Sequence, residues 1–209
     1  MKHFVLILIA LLSMNNSYSQ ENSTEHLYEK VNKYVAELKS KGIDTICIYR
    51  DYYVGIQRKK YVEEPCNYEN TFIPTYIFWK QNNITYVTRK DNCFDFDILK
   101  IDQNNFWNLI FENKKIILKE KNLGFEFIEK KSHRKLNKSE SHSHYRRFEI
   151  FINNYTCEKY FGDFDLTEYN NGDLNINYKY NNSTKSRLLM DELEKIVNEL
   201  ISKKTFKKT

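Results

Sequence analysis

The sequence contains little glycine and little proline. Five glycines and two prolines occur in 209 residues, and no two glycines lie within six residues of each other. A glycine-rich phosphate loop needs several glycines in close succession, so that backbone amides can approach the phosphate. A P-loop and a dinucleotide-binding fingerprint are therefore excluded. The GxSxG and HExxH motifs are absent as well, which removes the commonest signatures of serine hydrolases and zinc proteases. We assign no catalytic residue and no cofactor.

The sequence has one long apolar run, Phe4 to Leu12, and Lys2 precedes it. Nine helical residues span about 14 Å, against about 30 Å for the hydrocarbon core of a membrane. The run is followed by a polar stretch and a small-x-small site that ends at Ser19, the pattern of a cleaved signal peptide. We therefore expect a signal peptide at 1–19 and one exported domain at 20–209, located in the periplasm or outside the cell, with no transmembrane segment in the mature chain.

The sequence has only a small excess of positive charge. The formal net charge is +5, and four lysines lie in the last seven residues, 203–209. The rest of the domain is close to neutral, which argues against a groove that binds the phosphates of a nucleic acid. We expect the basic tail at 203–209 to be a solvated end.

The four cysteines show no CxxC spacing, so a redox motif and a zinc knuckle are both unsupported. They are Cys47, Cys66, Cys93 and Cys157. An even number in an exported chain permits two disulfides with three connectivities. Cys66 and Cys93 flank a predicted hairpin, and we favour a disulfide between them. Cys47 lies in an apolar strand, where a buried free thiol is the alternative.

Two segments have the 3.6-residue periodicity of amphipathic helices, one near each end of the chain. The first stripe comprises Leu27, Val31, Tyr34, Val35 and Leu38. The second comprises Leu189, Leu193, Ile196, Val197 and Leu200, with Leu188 and Ile201 expected to widen it. We expect Ser23 or Thr24 to cap the first helix and Gly42 to end it. A third helix is expected to follow Asp102.

The region between these helices reads as β-hairpins. Aromatic and β-branched runs flank the turns Gln81–Asn83 and Asn153–Asn154, and Asn171–Gly172 predicts a third tight turn. Further strands are expected at 94–101 and 125–128, whereas 129–146 is almost without apolar residues and predicts a mobile surface loop. The fold class we predict is α+β, an antiparallel sheet built from hairpins and packed against the N-terminal and C-terminal amphipathic helices.

The histidines of the predicted loop are the best metal candidates. On an extended strand His142 and His144 would point to the same side, and His133 is near in sequence. No third ligand can be identified, and solvated loop histidines explain the pattern equally.

Carboxylates support a hydrolase alternative. Acidic residues cluster at Asp163, Asp165 and Glu168, and again at Asp95 and Asp97. Paired carboxylates serve glycoside hydrolysis or hold calcium, so a small hydrolase would use carboxylates and histidines within 133–168. Alternation along a strand edge explains the same residues without a function.

The abundance of aromatic residues suggests a second alternative, a carbohydrate-binding module that uses exposed tyrosines together with Trp79 or Trp107. However, Asn, Lys, Ile, Tyr and Phe are all encoded by AT-rich codons, and mutational bias explains their abundance more simply.

Two segments resemble small secreted proteins of the Bacteroidota that have no assigned function. The leader ends in Ser17-Tyr-Ser-Gln20, and the segment Tyr76 to Cys93 is similar to a stretch common in that group. The resemblance implies a lineage and a compartment, and it provides no catalytic residue. Our leading hypothesis is an exported, non-enzymatic α+β domain whose partner is another protein and not a nucleic acid.

Overall fold

The computed structural model describes residues 18–54 and 73–209, with side chains described from residue 25 onward. The helices, in chain order, are α1 (Tyr18–Ser40), α2 (Asn105–Lys119), α3 (Tyr178–Ser183) and α4 (Lys185–Ser202). The strands are β1 (Thr45–Tyr53), β2 (Thr75–Gln81), β3 (Ile84–Lys90), β4 (Asp95–Ile101), β5 (Phe125–Ile128), β6 (Lys135–Lys138), β7 (His144–Ile152), β8 (Tyr155–Gly162), β9 (Tyr169–Asn170) and β10 (Asp173–Leu174). A short 3-10 helix spans Phe164–Leu166.

The centre of the fold is a six-stranded antiparallel sheet with the order β4-β3-β2-β1-β7-β8. Asparagines with positive φ form its tight turns, at Asn82 (52°), Asn83 (61°) and Asn153 (51°), because asparagine tolerates the left-handed region better than other non-glycine residues. Asn171 and Gly172 likewise join β9 to β10. The α+β class and the predicted hairpins are confirmed.

The helices cover opposite faces of the sheet. Leu27, Val31 and Leu38 of α1 pack with Ile46 and Ile77 on one face. The other face carries the larger core, to which α2 contributes Phe106, Trp107, Ile110 and Ile117, and α4 contributes Leu189, Met190, Leu193, Ile196, Val197 and Leu200. Helices therefore pack on both faces of the sheet. Leu188 and Ile201 are exposed, so the prediction that they widen the stripe of α4 is wrong.

The two ends of α1 differ in how well they match the prediction. Gly42 has φ +77°, and the amides of Gly42 and Ile43 donate to Lys39 O and Leu38 O at 3.0 and 3.1 Å. This is a Schellman motif, and it ends the helix where predicted. The helix begins at Tyr18, so Ser23 and Thr24 lie inside it and do not cap it. The predicted leader lies outside the described residues apart from Tyr18 and Ser19.

The segment 129–146 is not one surface loop. Residues Lys135–Lys138 form β6, which pairs with β5, and the strand β7 begins at His144. The lack of apolar residues predicted a loop here, but β6 is exposed along most of its length. A strand of this kind can pair without the alternating hydrophobic pattern that would reveal it in the sequence.

The four lysines of the basic tail are exposed, as expected of a solvated end, but the tail is also docked on the sheet, which the sequence did not predict. Phe206 packs against Tyr76 and Phe96, with ring centroids 5.8 and 6.3 Å apart. Beyond it, the amide of Asp97 donates to Lys207 O and the amide of Thr209 donates to Asp95 O, both at 3.0 Å. Residues 207–209 thus extend the sheet beyond β4 and cover the start of that edge strand.

The turn from α4 into this tail is strained at Lys204, whose φ is +50°. Its amide donates to Ile201 O at 2.9 Å, and that of Thr205 donates to Leu200 O at 3.2 Å, a Schellman motif without the usual glycine. Lys204→Gly is expected to raise the free energy of unfolding by about 0.5–1 kcal/mol, because relief of the left-handed strain exceeds the added chain entropy.

Urea denaturation measures this gain. The matched control is Lys203→Gly, since Lys203 is in the right-handed region (φ −79°). Glycine there relieves no left-handed strain and brings only costs, which are the added chain entropy and the loss of an exposed ion pair with Glu199. A stabilising Lys203→Gly, or a destabilising Lys204→Gly, would contradict the explanation.

Cys47 and Cys157 are buried free thiols, so the structure favours the free-thiol alternative for Cys47. Both pair with Ile150, from opposite sides, and two strand spacings of about 4.8 Å separate them, beyond the reach of a disulfide. Cys66 lies outside the described residues, so its bond with Cys93 stays a prediction. In the part of the chain that the structure describes, every helix is too short or too polar to span a membrane.

Candidate functional site

His144 is held between two carboxylates at the end of the sheet where β7 begins. Its Nδ1 lies 2.9 Å from Asp163 Oδ2, and its Nε2 makes a short contact with Asp51 Oδ1. Asp51 lies near the end of β1, and Asp163 directly follows β8. The antiparallel order β1-β7-β8 brings these ends together, so the side chain of His144 links the ends of three strands.

Arg146 extends this arrangement to the helix layer. Its guanidinium binds Asp163 and, on the other side, Glu194 of α4, with Nη1 2.5 Å from Glu194 Oε2. The ring of Tyr53 stacks on His144 with centroids 4.3 Å apart. We call the five charged residues the His144 cluster: Asp51, His144, Arg146, Asp163 and Glu194.

The geometry fixes the protonation state of His144. A neutral imidazole has one N–H and one lone pair, whereas carboxylates face both nitrogens, so only the imidazolium satisfies both contacts. Burial alone lowers the pKa of His144, but the hydrogen bonds to Asp51 and Asp163 outweigh burial and raise that pKa above its usual value. A histidine in this state offers no lone pair for a metal or for general base catalysis.

The other predicted site residues of this region do not join the His144 cluster. His142 precedes β7, is exposed, and has its Nδ1 2.8 Å from Ser141 Oγ. Asp165 accepts hydrogen bonds from Asn122 Nδ2 at 3.0 Å and from the amide of Phe125 at 3.3 Å. Burial raises the pKa of Asp165. The described residues include no group of three or more potential ligands that could hold a metal.

The second acidic pair and the tryptophans have structural positions. Asp95 binds Lys30 of α1 and Lys90 of β3 at 2.9 and 3.0 Å, and Asp97 accepts the amide of Lys207 at 3.0 Å. Trp79 and Trp107 are only 3% and 0% exposed. Neither tryptophan therefore provides the exposed platform that the carbohydrate-binding hypothesis required.

The outer edge of β8 is open within the described part of the chain. The amide of Asp163 donates to His144 O at 3.0 Å, and bonding alternates along an antiparallel pair. The backbone groups of odd-numbered residues in β8 therefore face β7, and those of Thr156, Glu158 and Tyr160 face outward. No backbone hydrogen bond within the described residues covers these outward groups. We call them the β8 edge.

Three tyrosines lie side by side on the neighbouring strands β1, β7 and β8, on the face of the sheet that α1 covers only in part. The rings of Tyr52 and Tyr145 stack with centroids 6.0 Å apart, and Tyr145 lies 6.2 Å from Tyr160. Gly162 permits the close approach of Tyr145, since a Cβ at that position would come within 3.0 Å of Tyr145 Cε1. We call Tyr52, Tyr145 and Tyr160 the tyrosine row.

Beside the tyrosine row, Arg147 binds Glu149 and Glu158 at 3.2 and 3.0 Å. Tyrosine and arginine are enriched in protein interfaces, and this surface is next to the outward backbone groups of the β8 edge. This surface could not be predicted from the sequence. Each tyrosine fits the alternating pattern of an ordinary strand, and that pattern does not reveal which strand lies at the edge of the sheet.

No protein-family model, curated protein or solved structure matches this chain.

Proposed function

We propose that this protein is an exported, non-enzymatic module that binds another protein at the β8 edge. The observation that carries the proposal is the difference between the two edges of the sheet. Residues 207–209 of the chain itself pair with the start of the β4 edge, whereas the eight-residue strand β8 has only one partner within the described residues. An unpaired edge of this length is a template for an added strand.

The tyrosine row supplies side-chain contacts beside that template. Tyr160 is 51% exposed, and its neighbours Tyr145 and Arg147 are held by ring contacts and ion pairs. Rigid aromatic and arginine side chains lose little conformational entropy on binding. The backbone would supply affinity and the tyrosine row would supply specificity.

The hydrolase alternative receives less support from the geometry. His144 and Asp163 do meet, but their contact lies within a closed ion-pair network, and both ring nitrogens of His144 are engaged by carboxylates. His142 and Asp165 point to other partners.

The partner is best captured with a photo-crosslinking amino acid placed at Tyr160 in natively exported protein. The matched control is Ile98 of β4, which has a similar exposure of 56% but lies on the edge that the tail partly covers. We expect a discrete crosslinked protein at position 160 and none at position 98. Equal crosslinking at both positions would contradict a site on the β8 edge.

With the captured partner purified, Glu158→Pro tests strand addition directly. Proline removes an outward amide of the β8 edge and leaves the bonds to β7 intact. We expect affinity to fall about tenfold or more, the equivalent of one to two hydrogen bonds. Glu158→Ala is the control, because it removes the same ion pair with Arg147 but keeps the amide. Equal binding by the two variants would show that the partner adds no strand.

A further inference from the structure

The lysine-rich end of α2 lies beside the β8 edge, on one face of the sheet. The end of α2 runs beside β8: the hydroxyl of Tyr155 donates to Lys114 O at 2.8 Å, and Lys159 Nζ donates to Leu118 O at 3.2 Å and to Glu120 O. These contacts place the basic last turns of α2 next to the edge strand. We call the following residues the lysine cluster: Lys114, Lys115, Lys119, Lys121 and Lys159.

The positive charge of the lysine cluster is not neutralised by ion pairs. None of its members forms a salt bridge within the described part of the chain. Glu120, which lies between Lys119 and Lys121 in sequence, instead accepts the amides of Lys185 and Ser186 at the start of α4, both at 2.8 Å.

The opposite face of the β8 edge is balanced in charge. There Arg50 and Arg147 face Glu149 and Glu158 in one network, and Tyr160 is the exposed apolar group. A strand added to β8 would present alternate side chains to these two different surfaces.

On the basis of the proposed function, we infer that the occupant of the β8 edge is an extended acidic segment. Its carboxylates alternate with uncharged residues, so that they lie on the α2 side against the lysine cluster while the uncharged residues contact Tyr160 and Thr156. Opposite charges on neighbouring strands stabilise the pairing, and a field of one sign also raises the association rate.

The same charges disfavour a second copy of this chain as the occupant. Antiparallel pairing of two β8 edges would place the two-fold axis perpendicular to the sheet, with both α2 helices on one face. The two lysine clusters would then meet, and like charges across an interface repel. Lysines beside an edge strand are a common protection against such self-pairing.

The inference is tested with two acetylated peptides, one in which Glu and Thr alternate and one in which Lys replaces each Glu. Amide shifts in NMR spectra report the site. We expect the acidic peptide to shift Thr156, Glu158 and Tyr160 and to bind about tenfold more tightly than the basic peptide, with an affinity that falls as salt is added. Binding of both peptides with equal affinity, or shifts confined to other residues, would overturn the inference.

Charge reversal supplies the matched pair of variants. Lys115→Glu/Lys119→Glu is expected to weaken binding of the acidic peptide about tenfold, whereas Lys130→Glu/Lys131→Glu, at equally exposed lysines of the turn after β5, is expected to leave it unchanged. If both double variants bind the acidic peptide equally weakly, the effect comes from the overall charge of the protein and not from the lysine cluster, and the inference is wrong. A single-stranded oligonucleotide that shifts the same amides at lower concentration would show a nucleic-acid surface instead.

Failure of the acidic peptide and failure of the proposed function give different results. If the chemistry of the occupant is wrong, Glu158→Pro still weakens binding of the captured partner while the charge-reversed variant binds it normally. If strand addition itself is wrong, Glu158→Pro and Glu158→Ala bind that partner equally.

Discussion

Asn181→Asp is expected to lower the free energy of unfolding by about 3–5 kcal/mol, although it replaces one atom of a side chain. Asn181 is fully buried, and its Nδ2 donates to Leu123 O at 2.6 Å and to Asp165 O at 3.0 Å. Its Oδ1 accepts the amide of Leu123 at 3.0 Å. A carboxylate at this position still accepts the amide of Leu123, but it loses both donated hydrogen bonds and places its charge against two carbonyl oxygens.

Urea denaturation as a function of pH measures this loss. Because the introduced carboxyl group can again donate one hydrogen bond once it is protonated, the deficit is expected to narrow as the solution becomes acidic. Asn108→Asp, at an exposed position of α2, adds the same charge and is expected to change stability by less than about 0.5 kcal/mol. A loss at Asn181 no larger than that at Asn108 would show that the amide is not needed.

Asn181 is one of four asparagines that organise the irregular part of the fold. Asn175 donates to Asp165 O and Thr167 O, Asn177 donates to Gly124 O, and Asn182 donates to Leu166 O and Tyr178 O. We attributed the abundance of asparagine to codon bias, and for these four residues that explanation is incomplete. Their amides satisfy backbone groups in loops that no regular ladder can satisfy.

The parts of the fold that sequence could predict depend on local periodicity. The stripe of α1 and the asparagine turn at Asn82–Asn83 are each set by residues within a few positions of one another, and both are confirmed. Which face of the sheet each helix covers depends on chain crossings, and no local pattern records them. The docked tail was missed for a related reason, since Phe206 is a single apolar residue among lysines.

The same distinction explains how far the candidate site could be predicted. His144 and Asp163 were both singled out from sequence, and they meet. Asp51 and Glu194 were missed because they join the His144 cluster from β1 and from α4, at long sequence separations. The β8 edge depends on the order of strands in the sheet, and for that reason it could be found only from the assembled structure.

The His144 cluster makes stability depend on pH in a definite direction. Because the folded-state pKa of His144 is raised above 6.5, its contribution is fully present below the unfolded-state pKa and is lost as pH rises through the folded-state pKa. Each unit of difference between the two pKa values contributes about 1.4 kcal/mol. We therefore expect the free energy of unfolding to fall as the pH rises from the unfolded-state pKa of histidine through the raised folded-state pKa of His144.

His144→Gln tests this assignment. Glutamine offers a donor but no positive charge, so Asp51 and Asp163 lose a shared cation, and we expect a loss of about 2–4 kcal/mol at about pH 6. The loss is expected to shrink as pH rises, because the wild-type histidine also becomes neutral. His142→Gln is the matched control, since His142 is exposed and its ring is hydrogen-bonded to the side chain of Ser141, and this variant is expected to keep the wild-type profile.

NMR of the imidazole nitrogens checks the mechanism independently of stability, because His144 is expected to carry protons on both Nδ1 and Nε2 at neutral pH. Asp163 lies directly after β8. When His144 loses its positive charge at higher pH, one of the ion pairs that hold the end of β8 to β7 and β1 is therefore lost. Binding at the β8 edge is then expected to weaken over the same pH range in the wild type and not in His144→Gln. A single protonated nitrogen at neutral pH, or pH profiles of His144→Gln and the wild type that run parallel, would contradict a cationic His144.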